Sequence, residues 1–368
     1  MGAVLEALSF DNAIIYVDRH IIAKGVKDVR SHVLERIADP SKAETPAARE
    51  SFLTVRNMLR VLPKAVKDLL FDRLCLFELS PEQVRLIAGN GLCGNDARNA
   101  VGLVATAEDI VNNPFLIAEQ YDPADRDERI PFYRIDQGVY LPRATGGLKV
   151  PGLDTFKTDD ERRIRACAMS ILRAALSEGH SFLPQDDLLT AISRKRLLGM
   201  PESLGAAVLV SKLPFYEETL ALVEGADFKG WMLKTMADDE ELIRCRIKKL
   251  QGRKPNAATV KDWEKHLPKS SALPPDVQRE ATRTQCEALE RLSTQAFSVL
   301  TGSAGTGKTT VMATLIKGLL EADPTEKFLL LAPTGKAAVR LRRKIKDVAK
   351  VDLEPKTIHA HLLRSGWM

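Results

Sequence analysis

The residues whose types and spacing suit them to chemistry lie late in the chain. Gly302-Ser303-Ala304-Gly305-Thr306-Gly307-Lys308-Thr309 fits G-x-x-x-x-G-K-[ST], a loop whose backbone N–H groups wrap the phosphates of a nucleotide. The glycines permit positive φ and close approach of the backbone to an anion. Lys308 sets a compact ammonium against the β- and γ-phosphates, and Thr309 offers its hydroxyl to Mg²⁺. The candidate catalytic residues are therefore Lys308 and Thr309, with Thr309 as the magnesium ligand and Thr310 closing the phosphate-contacting set. Such a loop needs a strand to deliver it and a helix to receive it. Residues 297–301 (FSVLT) are β-prone, and 309–321 place Val311, Met312, Leu315, Ile316, Leu319 and Leu320 on one helical face until Asp323-Pro324 ends the pattern. The helix then aims its N-terminal dipole and free N–H groups at the phosphates. A second strand is expected at 328–332 (FLLLA), whose unbroken apolar run suits a parallel sheet covered on both faces.

Pro333-Thr334-Gly335-Lys336 opens a further helix with two unlike faces. Ala337, Ala338, Leu341, Ile345, Val348 and Ala349 recur at helical spacing on one side, while Lys336, Arg340, Arg343 and Lys350 fall opposite. The cationic side reads either as a solvated face or as a surface for polynucleotide phosphates.

Taken together these segments resemble the RecD-like DNA helicases of superfamily one. TGSAGTGKTT resembles helicase motif I, LLLAPTGKAAVRL motif Ia and KTIHAHL motif Ib, in that order along the chain. TQCEALERL resembles the Q motif, which implies that Gln285 reads the adenine edge; Gln278 lacks the Ala-Leu pair that follows Gln285. The resemblance further implies ATP and Mg²⁺ as cofactors, and Pro333, Thr334, Lys336, Thr357 and His359 along a single-strand track, to which charge adds Arg340. It implies 5′ to 3′ travel on single-stranded DNA or a fork, with unspecified recombination or repair proteins as further partners. Fainter likenesses run through EDIVNNPFLIAEQY, IDQGVYLP, the helix ending at GHSFLP, and EELIRCRIKKL. The departure from the pattern is that nothing after His361 supplies the acidic pair of motif II or the arginine of the second motor domain. The expectation is a portion of a longer helicase, inactive alone. His359 and His361 also have the look of a two-ligand metal pair, but no further ligands stand at suitable spacing.

The remainder names less chemistry. The 368 residues, 45% hydrophobic and 28% charged, are composed like an ordinary globular protein with room for two or three domains, and net +5 is compatible with a polyanion without demanding one. No apolar stretch reaches the roughly 18 residues of a membrane span, and the start carries no signal-peptide pattern. A cytoplasmic protein without a membrane partner is expected. Cys75, Cys93, Cys167, Cys245 and Cys286 form no Cys-x-x-Cys pair, so reduced, mostly buried thiols are expected rather than a disulfide framework or a zinc site.

The fold class expected is mainly α accessory domains followed by an incomplete α/β RecA-like P-loop domain. The divisions are 1–78, helical, with Phe52, Val55, Leu59 and Leu62 on one helix face; 79–150, helical; 151–267, a helical and winged-helix-like accessory domain; a Pro/Ser-rich linker at 268–276; and the motor start at 277–368. Within the second, Gly89-Asn90-Gly91 and Gly94 fit either a helix-hairpin-helix that holds a DNA backbone or a tight turn between packed helices. The tail of YDPADRDERIPFYRIDQGVYLPR alternates apolar and polar residues as a strand or hairpin would. In the third, acids at 159–161 start a helix carrying Ile164, Ala168, Ile171, Ala175 and Leu176 that Gly179 stops, and a second helix follows over 185–198. Residues 240–250 give a solvated amphipathic helix. Two other functions fit the same motifs: a non-catalytic, nucleotide-gated DNA-binding module, and another P-loop ATPase such as a relaxase-helicase or an AAA-type remodeller.

Overall fold

A computed structural model describes residues 1–89, 92–140, 151–153, 155–202, 204–253, 260, 262–268, 274–303 and 305–367. Asn90, Gly91, Ala304, residues 143–150 and most of the linker expected at 268–276 lie outside this set. The chain falls into two compact units, Met1–Asp238 and Asp239–Met368.

The first unit is built from helices around one continuous apolar core that includes Leu5, Phe52, Leu70, Ile87, Phe115, Ile164, Leu188 and Trp231. Helix Pro46–Val61 starts on Thr45, whose side chain accepts from the Ala48 N–H, and buries Phe52 and Val55 as their spacing predicts. Helix Glu161–Ser177 is the hub. Asp160 caps it, Ile164, Ala168 and Ala175 are buried, and Gly179 at φ +94° turns the chain out of it. Periodicity did not mark its two buried arginines. Arg163 forks onto Asp136 at 2.6 and 2.9 Å and lies over the Tyr140 ring, while Arg165 forks onto Glu119 at 3.0 Å twice and lies over Phe215.

The Asp136 pairing explains a correction. The segment expected as a strand or hairpin is helix Phe132–Val139, which sends Phe132, Ile135 and Val139 to the core at helical spacing and brings Asp136 to Arg163. A strand would put Ile135 and Asp136 on opposite faces.

Past the hub, strand Phe182–Pro184 leads into helix Gln185–Arg194, and strands Leu220–Glu224 and Lys229–Leu233 complete an antiparallel sheet in which Lys229–Leu233 is central. Between helix and hairpin the described residues form the short helices Ala207–Val210 and Leu213–Tyr216, the latter with Pro214 in its first turn. Gly89, at φ +59°, ends helix Pro81–Ala88, and the Arg98 side chain fills the space beside it, donating to the Leu86 and Ala105 carbonyls. That contact is the packing of a turn between helices; it leaves the helix-hairpin-helix reading without support from the described residues.

Helix Lys234–Gln251 carries the chain into the second unit and is exposed, Leu242 and Ile243 included. Residues 260–267, expected on the accessory side of a linker, belong to this second unit, where Trp263 packs with Leu289 and Val311. Helix Pro275–Thr294 follows, then a stretch in neither helix nor strand to the glycine loop, helix Lys308–Ala322, strand Leu331–Ala332, helix Gly335–Ala349, strand Lys356–Thr357 and helix Ile358–Arg364. The two strands pair in parallel, Leu331 opposite Lys356 and Ala332 opposite Thr357.

Residues 297–301 join no ladder, and only the end of 328–332 pairs. β-propensity describes fit to a pleated surface, and a strand forms only where a neighbour takes its N–H and C=O groups. Nor is the second strand covered on both faces among the described residues. Phe328 and Leu330 turn toward Ala313, Ile316 and Ile345 of the two flanking helices and Ala332 is buried, whereas Leu329 and Leu331 are exposed.

Candidate nucleotide-binding site

The glycine loop has the backbone its composition predicts at the positions that matter. Gly305 and Gly307 stand at φ +83° and +86°, the left-handed region in which a side chain is strained. Gly307 is the N-cap of helix Lys308–Ala322, and its carbonyl accepts from the Val311 N–H at 2.9 Å. Among the described residues, its chain neighbours aside, nothing lies within 4 Å of the place a Gly305 Cβ would take. The Lys308 Nζ donates to the Gly302 and Ser303 carbonyls, both at 2.7 Å, and the Thr306 hydroxyl donates to the Ser303 carbonyl at 2.9 Å. An ammonium thus sits inside a curl of backbone that ends on a helix N-terminus, an arrangement able to hold a polyphosphate. Thr309 is exposed at the start of the helix and Thr310 is half-buried. Ala304 lies outside the described residues.

Gln285 meets this loop. It stands on helix Pro275–Thr294, and its Nε2 lies 2.9 Å from the position of a Cβ on Gly307. Gln278, by contrast, lines a cleft of about 800 Å³ with Trp263, Asp262 and Cys286. Burial, with Glu264 and Asp262 nearby, pushes the Cys286 thiol up, so it is no ready nucleophile there.

The residues of the two later motifs gather at one edge. Because the short strands are parallel and Ala332 is opposite Thr357, both chains leave the sheet on the same side. Thr334 and Thr357 each cap the helix that follows, accepting from the Ala337 and Ala360 N–H groups at 3.3 and 3.1 Å. Pro333, Thr334, Lys336, Arg340 and His359 are exposed and Thr357 is half-buried. In open sheets of this type ligands bind beyond the carboxyl ends of the strands. Arg342 on the same helix is tied to Asp352 at 2.7 and 2.9 Å. Among the described residues no three His, Cys, Asp or Glu side chains gather as a metal site, so His359 and His361 acquire no further ligand there. No helix of the described residues is long and apolar enough to cross a membrane. Of the cysteines, Cys167 is buried, Cys75, Cys93 and Cys286 are half-buried, and Cys245 is exposed.

Sequence reasoning missed Trp263. It lies 45 positions before Lys308, outside every motif. The available signal was a lone tryptophan in a polar stretch just ahead of the helix that carries Gln285.

Residues 285–366 match the AAA domain family, starting at Gln285 itself. The RecBCD enzyme subunit RecD of Mycobacterium tuberculosis is 29% identical over 199 residues, which is 52% of this chain and 29% of that protein. The ATP-dependent RecD2 DNA helicase of Deinococcus radiodurans is 29% identical over 194 residues, 50% of this chain and 25% of that protein. An uncharacterized protein of Methanocaldococcus jannaschii is 26% identical over 277 residues, 69% of this chain and 22% of that protein. The alignments span between 22% and 29% of the length of these relatives. The chain is thus similar to the AAA domain family over residues 285–366 and to a RecD subunit and a RecD2 helicase over about half of its length.

Proposed function

We propose that the loop at residues 302–310 binds Mg-ATP, and that this chain supplies the opening part of a motor that couples ATP hydrolysis to 5′ to 3′ movement on single-stranded DNA. The observation that carries the reading is the meeting of three features at one point: left-handed Gly305 and Gly307, the Lys308 ammonium within the loop, and the Gln285 amide against Gly307. On binding, Lys308 exchanges two carbonyl partners for phosphate oxygens, and the N–H groups of the helix start hold the anion. Thr309 would hold magnesium through its hydroxyl, and the bound ion would supply charge neutralisation at the phosphates. Lys308 then steadies charge on the transferred phosphoryl group. Pro333, Thr334, Lys336, Arg340, Thr357 and His359 contact the DNA strand from the common sheet edge.

We expect these 368 residues on their own to bind ATP and turn it over negligibly. Steady-state phosphate release from the purified chain, with and without single-stranded DNA, tests this. The expected rate is at background. DNA-stimulated turnover abolished by Lys308→Ala would contradict that part of the proposal.

A further inference from the structure

Helix Lys308–Ala322 carries a second glycine with a defined neighbour. A Cβ on Gly318 would stand 2.5 Å from Cζ3 and 3.1 Å from Cη2 of Trp263, a distance real side chains do not reach. The indole therefore presses on bare helix backbone. Trp263 is 6% exposed and forms one apolar cluster with Leu289 of helix Pro275–Thr294 and Val311 of the loop helix. Leu289 lies one turn beyond Gln285, and Val311 one turn beyond Gly307. The indole itself rests on Gly318, about three turns from Gly307, and the cluster it anchors reaches both helices, at Leu289 and Val311, one turn from the place where Gln285 meets the loop. The same short segment is held to the loop helix a second time, through His266 Nδ1 and Glu321 Oε2 at 3.3 Å.

We infer that Trp263 is a positioning residue that sets where the Gln285 amide stands over the phosphate loop, and thereby the preference of the site for adenine over guanine. The inference rests on the ATP reading above. An amide offers one donor group and one acceptor. Adenine answers with N7 and its N6 amino group, whereas guanine presents two acceptors, N7 and O6, on the same edge. Discrimination therefore depends on holding the amide in register with the base, while phosphate binding depends on Lys308 and the loop backbone.

The test is competition binding of ATP, GTP and inorganic tripolyphosphate, each with Mg²⁺, to the 368-residue chain and to Trp263→Ala, Trp263→Phe and Gly318→Ala. Trp263→Ala is expected to lower the ATP:GTP affinity ratio about tenfold, the selectivity one hydrogen bond confers. Tripolyphosphate affinity should stay within about twofold of the parent, and Trp263→Phe should restore most of the ratio. Gly318→Ala should move the ratio the same way while leaving the helix intact, since alanine is the better helix former; it stands in if Trp263→Ala fails to fold. An unchanged ratio in both variants, or parallel weakening of all three ligands, would overturn the inference. A parent chain with no ATP affinity, or ATP binding indifferent to Lys308→Ala, would instead contradict the nucleotide reading, and the inference would fall with it.

Discussion

Gly307 shows how one residue serves two demands. Its φ of +86° disfavours any side chain, and the Gln285 amide occupies the space a Cβ would need. Gly307→Ala should therefore cost about 1–2 kcal/mol from the left-handed backbone alone, read as a lower midpoint of urea unfolding, and should weaken nucleotide binding by displacing Gln285. Stability equal to the parent would contradict the geometry. Gly305 has the same backbone conformation but, among the described residues and its chain neighbours aside, nothing within 4 Å of its Cβ position, so Gly305→Ala should show the backbone cost without disturbing Gln285. These positions were legible in the sequence because a phosphate loop constrains residue type at each place. The buried Arg163 and Arg165 were not, since a helical pattern of apolar positions says nothing about which charges find a carboxylate partner 27 or 46 positions away.

At the scale of elements, the hub helix depends on those pairs. Removing the Asp136 carboxylate leaves the fully buried Arg163 uncompensated, and Asp136→Ala should cost about 3–5 kcal/mol. Replacing both partners by apolar residues of similar volume should cost much less, which a double-mutant cycle in urea measures. A second polar cluster centres on Glu44, whose carboxylate accepts from the Tyr16 hydroxyl of helix Ala13–Val17 and from the Arg36 guanidinium of helix Val29–Ala38. Burial opposes ionisation of Glu44, but hydrogen bonds from Arg36 and Tyr16 outweigh it and bring its pKa down to about 2. A folded-state pKa below the ordinary 4.5 means that the stabilisation is complete above that value and is lost as pH falls from 4.5 toward 2. The stability gap between the parent and Glu44→Gln should accordingly narrow over this window, and a constant gap would show the cluster to be energetically idle. The elements differ in how far local sequence specifies them, for a physical reason. Helices such as Pro46–Val61 and Glu161–Ser177 carry their own hydrogen bonds and declare their period and caps. Residues 297–301 and 328–332 have strand composition, but a ladder needs partners that local sequence does not specify. Helix Phe132–Val139 was hidden because a short alternating run is ambiguous until its core contacts are known.

At the scale of the whole chain, positive charge is concentrated in residues 335–350, where Lys336, Arg340, Arg342, Arg343, Lys344, Lys346 and Lys350 stand against Asp347 alone, and the exposed cations among them lie beside the common sheet edge. If that edge holds a DNA strand, the double variant Lys336→Ala/Arg340→Ala should weaken oligonucleotide binding and make the slope of log K against log salt shallower by about 0.7 for each phosphate that is no longer neutralised. An unchanged slope would return these residues to the role of a solvated face. The central claim is that the curl of backbone around Lys308 grips a triphosphate, and isothermal calorimetry with Mg-ATP on the parent and on Lys308→Ala tests it most directly. The account predicts saturable heat with one ATP per chain in the parent and at least about tenfold weaker binding in the variant; no heat in the folded parent, or equal affinity in the two proteins, would contradict it.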